Sequence, residues 1–329
     1  MHRRRALAAL ASLAAAPAFA QQPPKLRQVR RIRRVCIFFF GTPANSRARR
    51  DVFVQAMLQA GYADGTNVRF DWRYANGQQD LVNQYAREMA QAVPDVIVAF
   101  STTNAQALKD AGVASPVVMI AVDDPVRTGF VHDLSRPGTN FTGLTTSVIA
   151  QAPHYVELVD EATSRTSHIG LLASPSSTTY KLFRSRVEEH AARRNIRITS
   201  LDANTPQEID RVLGSTQPAM QGLIVTSDAM FYNERRRIAE LAIERRLPAV
   251  YPRFGYVEAG GLMSYGPNDE HFATRGAAFV VRILDGDSPP DMPIEGPTRY
   301  ELGVNRKAAA AIGLTLPEAL MKRADRLVG

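Results

Sequence analysis

An α/β fold of two similar lobes is expected from three features of this sequence. Short apolar runs recur at 35–40, 96–100, 117–122, 169–173, 223–226 and 249–251, most of them rich in Val and Ile and without polar alternation. Such runs suit strands buried on both faces of a parallel sheet. Segments of helical period lie between them. Leu81, Val82, Tyr85, Ala86, Met89, Ala90 and Val93 recur at helical spacing, and 177–194 and 233–246 are longer, charged and amphipathic. Finally, one order of parts occurs twice.

In the first half a helix ends at Val93, and Pro94-Asp95 lead into the strand at 96–100. Ser101 to Asn104 open a helix to about Lys109, and Pro116 opens the strand at 117–122. In the second half a helix ends at Val212-Leu213, and Gln221-Gly222 lead into the strand at 223–226. Ser227-Asp228 open a helix to Arg246, and Pro248 opens the strand at 249–251. Two α/β lobes with right-handed crossovers account for the repetition. The turn-rich run 135–147, with Pro137-Gly138 and the short β-type run 141–145, and the run 259–266, with Gly260-Gly261, are the places expected to carry the chain between lobes.

Charge is distributed unevenly. The chain holds 40 Lys and Arg against 32 Asp and Glu, a net charge of +8. Arg3, Arg4 and Arg5 begin the chain, and Lys25, Arg27, Arg30, Arg31, Arg33 and Arg34 follow, all before the first acid at Asp51. Without these nine bases the body carries 31 bases and 32 acids, a net charge of −1. A nucleic-acid surface needs its basic excess on the folded body, so no nucleic-acid partner is expected.

The basic start, the Ala/Leu run 6–16 and Ala18-Phe19-Ala20 follow the order of a cleavable signal peptide, assigned to residues 1–20. The run is too short to span a bilayer, and no later stretch is long enough. No Cys follows it, so a periplasmic protein without a lipid anchor is expected, exported by the general or the twin-arginine route. Residues 21–34 are expected to form a solvated basic linker. The single cysteine, Cys36, lies in an apolar run and reads as a buried, inert thiol.

No local catalytic pattern is present: no G-x-S-x-G, G-x-G-x-x-G, Walker loop or H-E-x-x-H. The six histidines are scattered, so no metal site and no cofactor is expected. An exported hydrolase-like enzyme with a triad assembled from distant residues remains an alternative. The candidate ligand-binding residues are the polar groups at carboxyl ends of strands, where open α/β sheets bind their ligands. They are Thr42 and Asn45; Ser101, Thr102, Thr103 and Asn104; Asp123 and Asp124; Ser174 and Ser176; Ser227 and Asp228; Arg253 and Phe254. Hydroxyls at a helix N-terminus suit a carboxylate or phosphate, and the same residues serve equally as helix caps. Asp123 or Asp124 could meet an ammonium group, or cap a turn before Pro125. The aromatics Phe40, Tyr232, Tyr251, Phe254 and Tyr265 lie near the same ends, as pocket or as core.

Several motifs occur in a recognisable order: Asp124-Pro125, Arg136-Pro137-Gly138-Thr139-Asn140-Phe141-Thr142-Gly143, Gly260-Gly261-Leu262, Asn305, Ile312-Gly313-Leu314 and Pro317. From about residue 35 to the C-terminus the chain resembles the ABC transporter substrate-binding protein family that includes bacterial tryptophan and tyrosine binders. Thr139 stands where the family usually has a second glycine.

The resemblance implies a type 1 periplasmic-binding-protein fold, two Rossmann-like lobes joined by a three-crossover hinge. Its lobes would be 35–144 plus 267–290 and 145–266 plus 296–329. It also implies a monomer that captures a small molecule, an amino acid or related carboxylate, by hinge closure, with permease and ATPase subunits as partners. A ligand-sensing module for a receptor is a further alternative on the same fold.

Overall fold

Strand β1 (Arg33–Phe39) runs into helix α1 (Pro43–Gln59), and the computed structural model of the chain continues this β–α alternation through most of its length. It describes residues 24–329 apart from 164–165, 178 and 216–218; the expected signal peptide lies outside the described residues.

After α1 come β2 (Val68–Tyr74), α2 (Gln79–Ala92), β3 (Val96–Phe100), α3 (Thr102–Asp110), β4 (Val117–Val122) and β5 (Phe141–Thr145). These five strands form one parallel sheet in the order β2-β1-β3-β4-β5. The central strands β3 and β4 are almost wholly buried, as their Val/Ile content demands. β2, Val-Arg-Phe-Asp-Trp-Arg-Tyr, is an edge strand with charges in it, and this is why no apolar run marks it. Helix α1 starts at Pro43 with Thr42 as N-cap, its Oγ1 accepting from the Asn45 N–H at 3.2 Å.

The second lobe repeats the plan. It holds α4 (Val148–Thr163), β6 (His168–Ala173), α5 (Tyr180–Ala192), β7 (Arg197–Asp202), α6 (Pro206–Gly214) and β8 (Gly222–Val225). Then come α7 (Ala229–Asn233), α8 (Arg235–Glu244), β9 (Ala249–Tyr251), α9 (Phe254–Glu258) and β10 (Met263–Pro267). The single helix expected from Ser227-Asp228 to Arg246 is thus two, broken at Glu234. The strand order is β7-β6-β8-β9-β10, position for position that of the first sheet. The repeated segments seen in the sequence are β3-α3-β4 and β8-α7-α8-β9.

The chain then returns to the first lobe. Helix α10 (Asp269–Asp285) is capped by Asn268, carries Asp269 and Glu270 at its positive end, and stops at Gly286 with φ +115. Its Phe272, Phe279 and Val280 join Phe53, Met57 and Ile120 in one core beneath the first sheet. The following residues stay in that lobe. Met292 accepts from the Thr142 hydroxyl at 2.7 Å, and the Glu295 N–H donates to Gly143 O at 2.9 Å. The chain then re-enters the second lobe as β11 (Tyr300–Asn305), antiparallel to β10, followed by α11 (Arg306–Ala311), α12 (Glu318–Arg323) and β12 (Arg326–Val328).

Three crossovers therefore join the lobes, after Thr145, after Pro267 and between Glu295 and Tyr300. The expected run 135–147 ends on the first crossover, while the run 259–266 stops just short of the second. Pro137-Gly138 is a turn inside the first lobe, with Gly138 N–H bonded to Pro290 O, and Gly260 turns α9 into β10. The first and third crossovers are tied together by Tyr300, whose hydroxyl donates to Thr146 O at 3.1 Å.

The basic arm is not free along its length. Arg27 pairs with Asp285 at 2.7 Å and stacks over Tyr62, while Arg31 and Arg33 pair with Asp95 at 2.5 and 3.1 Å. Asp95 is placed for this by the turn that ends α2. No helix among the described residues is long and apolar enough to cross a membrane.

Candidate ligand cleft between the lobes

Because β1 to β5 run parallel in the first sheet and β6 to β10 in the second, their carboxyl ends open on one side of each lobe, and the two sets face each other. Between them lies a cleft of about 590 Å³. The first lobe supplies Ser101, Thr102 and Thr103 after β3 and Asp123 after β4. The second supplies Ser174 and Ser176 after β6, Ser227 and Asp228 after β8, and Arg253 after β9.

Nine of the fourteen candidate residues thus line one cavity; the other five do not. Thr42 caps α1. Asn45 lies at the rim, where its amide contacts Asn233 and Arg235 of the other lobe. Asn104 is fully buried, donating to Phe38 O at 2.7 Å, and so braces the end of β1 under the site. Asp124 turns outward, accepting from the Arg127 N–H and pairing with its guanidinium at 3.4 Å. Phe254 packs inward, with Arg326 3.5 Å above its ring and the backbone of Gly303 against it.

Ser101 has φ +142 and ψ 160, a region that side chains other than Gly seldom enter. Its Oγ accepts from the Asn104 N–H at 3.2 Å, so capping and cleft lining fall to one residue. Asp228 is likewise a cap, accepting from the Met230 and Phe231 N–H groups at 2.8 and 3.2 Å. Thr102 holds the floor by accepting from the Asp123 N–H at 3.0 Å.

Asp123 is 5 % exposed, and the Thr146 hydroxyl donates to its carboxyl. Burial pushes that carboxyl up to about 7, against the Thr146 hydrogen bond and the Arg253 charge, which pull it down. Asp228 is also pushed up by burial. The cleft floor therefore holds two carboxyl groups poor in water.

The opposite wall is cationic and aromatic. The guanidinium groups of Arg49, Arg235 and Arg253 stand 5.0, 4.7 and 4.7 Å from the Tyr232 ring centre. Arg253 is held by Asp269, to which its Nε donates at 2.8 Å. Tyr256 stacks on Tyr251 at 4.7 Å, and its hydroxyl is buried with no hydrogen-bond partner among the described residues.

Arg49, Asn83, Asn204, Thr205 and Tyr256 also line the cleft. None was singled out from the sequence. Asn204 and Thr205 follow β7, a polar edge strand that no apolar run announces. Arg49 sits among other arginines on α1, ten residues past the end of β1 at Phe39, where it reads as surface charge. Among the described residues no histidine lines the cleft; His168 bonds Thr199 at 2.8 Å at the other end of β6. A serine–histidine pair is therefore not assembled here. Among the described residues no cluster of three His, Cys, Asp or Glu could hold a metal.

Comparison with known proteins fits this geometry. Residues 37–328 match the ABC transporter substrate binding protein family. A tyrosine-binding protein of Clostridioides difficile (strain R20291) is 26% identical over 272 residues, 83% of this chain and 78% of that protein. The ABC domain in complex with L-Trp from Streptococcus pneumonia shares 23% identity and the same fold, with a TM-score of 0.82 over 90% of this chain and 100% of that one. A ligand-free, open substrate-binding protein with adhesive properties from Clostridium difficile shares 26% identity, with a TM-score of 0.66 over 90% of this chain and 99% of that one.

Proposed function

Since this chain belongs to the ABC transporter substrate binding protein family, a family of binding proteins and not of enzymes, we propose that it captures an amino acid or a related carboxylate and delivers it to an importer. The observation that carries this reading is the cleft itself, lined by polar groups from both lobes and spanned by the hinge at its back. Relatives that bind tyrosine and tryptophan support an amino acid as the ligand class. No bond is made or broken in this reading: the protein acts as a monomer in the periplasm, released from its signal peptide, and its partners are permease and ATPase subunits.

The mechanism is hinge closure. A molecule bound to one lobe gains contacts with the other only when the lobes approach, and that difference in free energy shifts the population toward the closed form. Residues 146–147, 268 and 296–299 are the short crossovers about which the lobes would turn. The chain superposes better on the tryptophan-bound domain than on the open ligand-free protein, despite slightly lower identity to the former. That contrast supports a lobe arrangement on the closed side.

Thermal unfolding of the mature chain with a panel of L-amino acids and small carboxylates tests the proposal. A true ligand at about 100 times its Kd adds about 2.7 kcal/mol by mass action, which raises Tm by several degrees. If every compound left Tm unchanged, capture of this ligand class would be ruled out. N-terminal sequencing of protein from a periplasmic extract tests the location.

A further inference from the structure

Three guanidinium groups gather around Tyr232, and they are not equivalent. Arg253 is neutralised by Asp269. Arg235 donates to the Tyr232 carbonyl at 3.0 Å and to Asn45 Oδ1 at 3.2 Å. Arg49 pairs with no carboxylate and donates to no acceptor among the described residues. It lies over the stacked pair Phe39 and Phe100, 5.4 and 5.8 Å from their centres, and 5.0 Å from Tyr232 of the opposite lobe.

Aromatic faces attract a cation, yet they accept none of the five N–H donors of a guanidinium in its own plane. Arg49 therefore faces the cleft with its fork unused. Burial above all, with the neighbouring Arg253 and Arg235 charges, draws its pKa below the ordinary value against the pull of Tyr232 and Asp269. The rings flank the group without using its donors, and a guanidinium so placed can take a carboxylate in bidentate fashion.

We propose that Arg49 receives the carboxylate of the captured molecule, and that this contact, made under Tyr232, couples recognition of the anion to lobe closure. The proposal rests on the capture reading above and adds to it the residue that selects the charge. A ligand carboxylate at Arg49 would sit where both lobes end, with the buried Asp123 and Asp228 free to face a cationic or hydrogen-bonding part elsewhere in the cleft.

Isothermal titration of the full mature chain with the twenty L-amino acids, the primary amides of those that bind, and a set of neutral sugars tests it. An acid that binds is expected to lose about 100-fold in affinity as its amide, the scale of one charged hydrogen-bonded pair. Arg49→Met is expected to weaken the acid by about the same factor and the amide by little, and Arg49→Lys to restore part of the loss. Unfolding curves of the two variants without ligand show whether each remains folded, and Arg49→Lys keeps the charge if Arg49→Met does not fold. Equal binding of acid and amide by the wild type, or equal weakening of both in Arg49→Met and Arg49→Lys, would overturn the role of Arg49 while leaving capture intact. Binding of a neutral sugar and of no amino acid would overturn this proposal and the ligand class together.

Discussion

Asn45 of the first lobe and Asn233 of the second meet side chain to side chain across the rim of the cleft, Nδ2 to Oδ1 at 3.0 Å. The other end of the Asn45 amide accepts from Arg235 at 3.2 Å, so one side chain is bonded at both ends to the facing lobe. Gly41 and Gly77 make room for this, since an added Cβ at either would lie 3.1–3.2 Å from the Asn233 side chain.

Breaking that contact removes hydrogen bonds present only when the lobes are together. Asn45→Ala is expected to cost about 1 kcal/mol of closure, roughly a five-fold loss in affinity, with little change in the Tm of the empty protein. Small-angle scattering should show a larger radius of gyration for the variant in the absence of amino acid. An unchanged radius and affinity would remove Asn45 from the closing contact.

Asp123 makes stability depend on pH. Its folded carboxyl keeps its proton up to about 7, whereas the ordinary value is 3.8. The contribution is therefore full below about pH 4 and is lost as pH rises through 7, because the folded state binds the extra proton in that window. The slope cannot exceed about 1.4 kcal/mol per pH unit for one group. Asp123→Asn is expected to flatten the fall in Tm between pH 5 and 8, measured by calorimetry. An equally steep fall in the variant would assign the dependence to another group.

Gly143 ends the motif before the first crossover with φ +124, and an added Cβ would sit 2.2 Å from Met119 O. Both the backbone conformation and the neighbouring strand exclude a side chain. Gly143→Ala should cost about 3 kcal/mol or more, seen as a lower urea midpoint at unchanged slope. A loss under about 1 kcal/mol would mean that β4 and β5 can part freely.

Cys36 is 1% exposed, and burial, with the Asp71 charge, pushes its thiol up to about 11. Thiolate is the reactive form, so the native protein should resist Ellman's reagent for hours while the urea-unfolded chain titrates one thiol at once. Rapid labelling of the native chain would show that β1 opens.

The sequence carried the parts of the fold that are buried on both sides. β3, β4 and β9 are purely apolar, and their edges stand where the runs stop. β2 and β7 were not marked because each edges its sheet, where Arg69 and Arg197 reach water and Asp71 and Arg73 pair with each other at 3.2 Å. Helix α1 buries only Ser46, Phe53 and Met57 and shows no apolar stripe. In the cleft, residues adjacent to recognised strands were visible as polar strand ends. Arg49 and Asn204 were not, because one is lodged inside a helix and the other follows a concealed strand. Asn104 and Ser101 lie three residues apart yet face opposite ways, inward to Phe38 and outward to the cleft, a distinction fixed only by the helix turn between them.

Helix α10 lies some 130 residues beyond the end of the sheet it covers. During synthesis the five strands through Thr145 emerge with one apolar face covered by α1 alone, through Phe53 and Met57, and Phe272, Phe279 and Val280 arrive only when most of the polypeptide has been made. The amino-terminal half thus completes its core only with a segment from far along the chain. The core of the first sheet therefore closes late in synthesis, after strands β6 to β10 of the second lobe have been made.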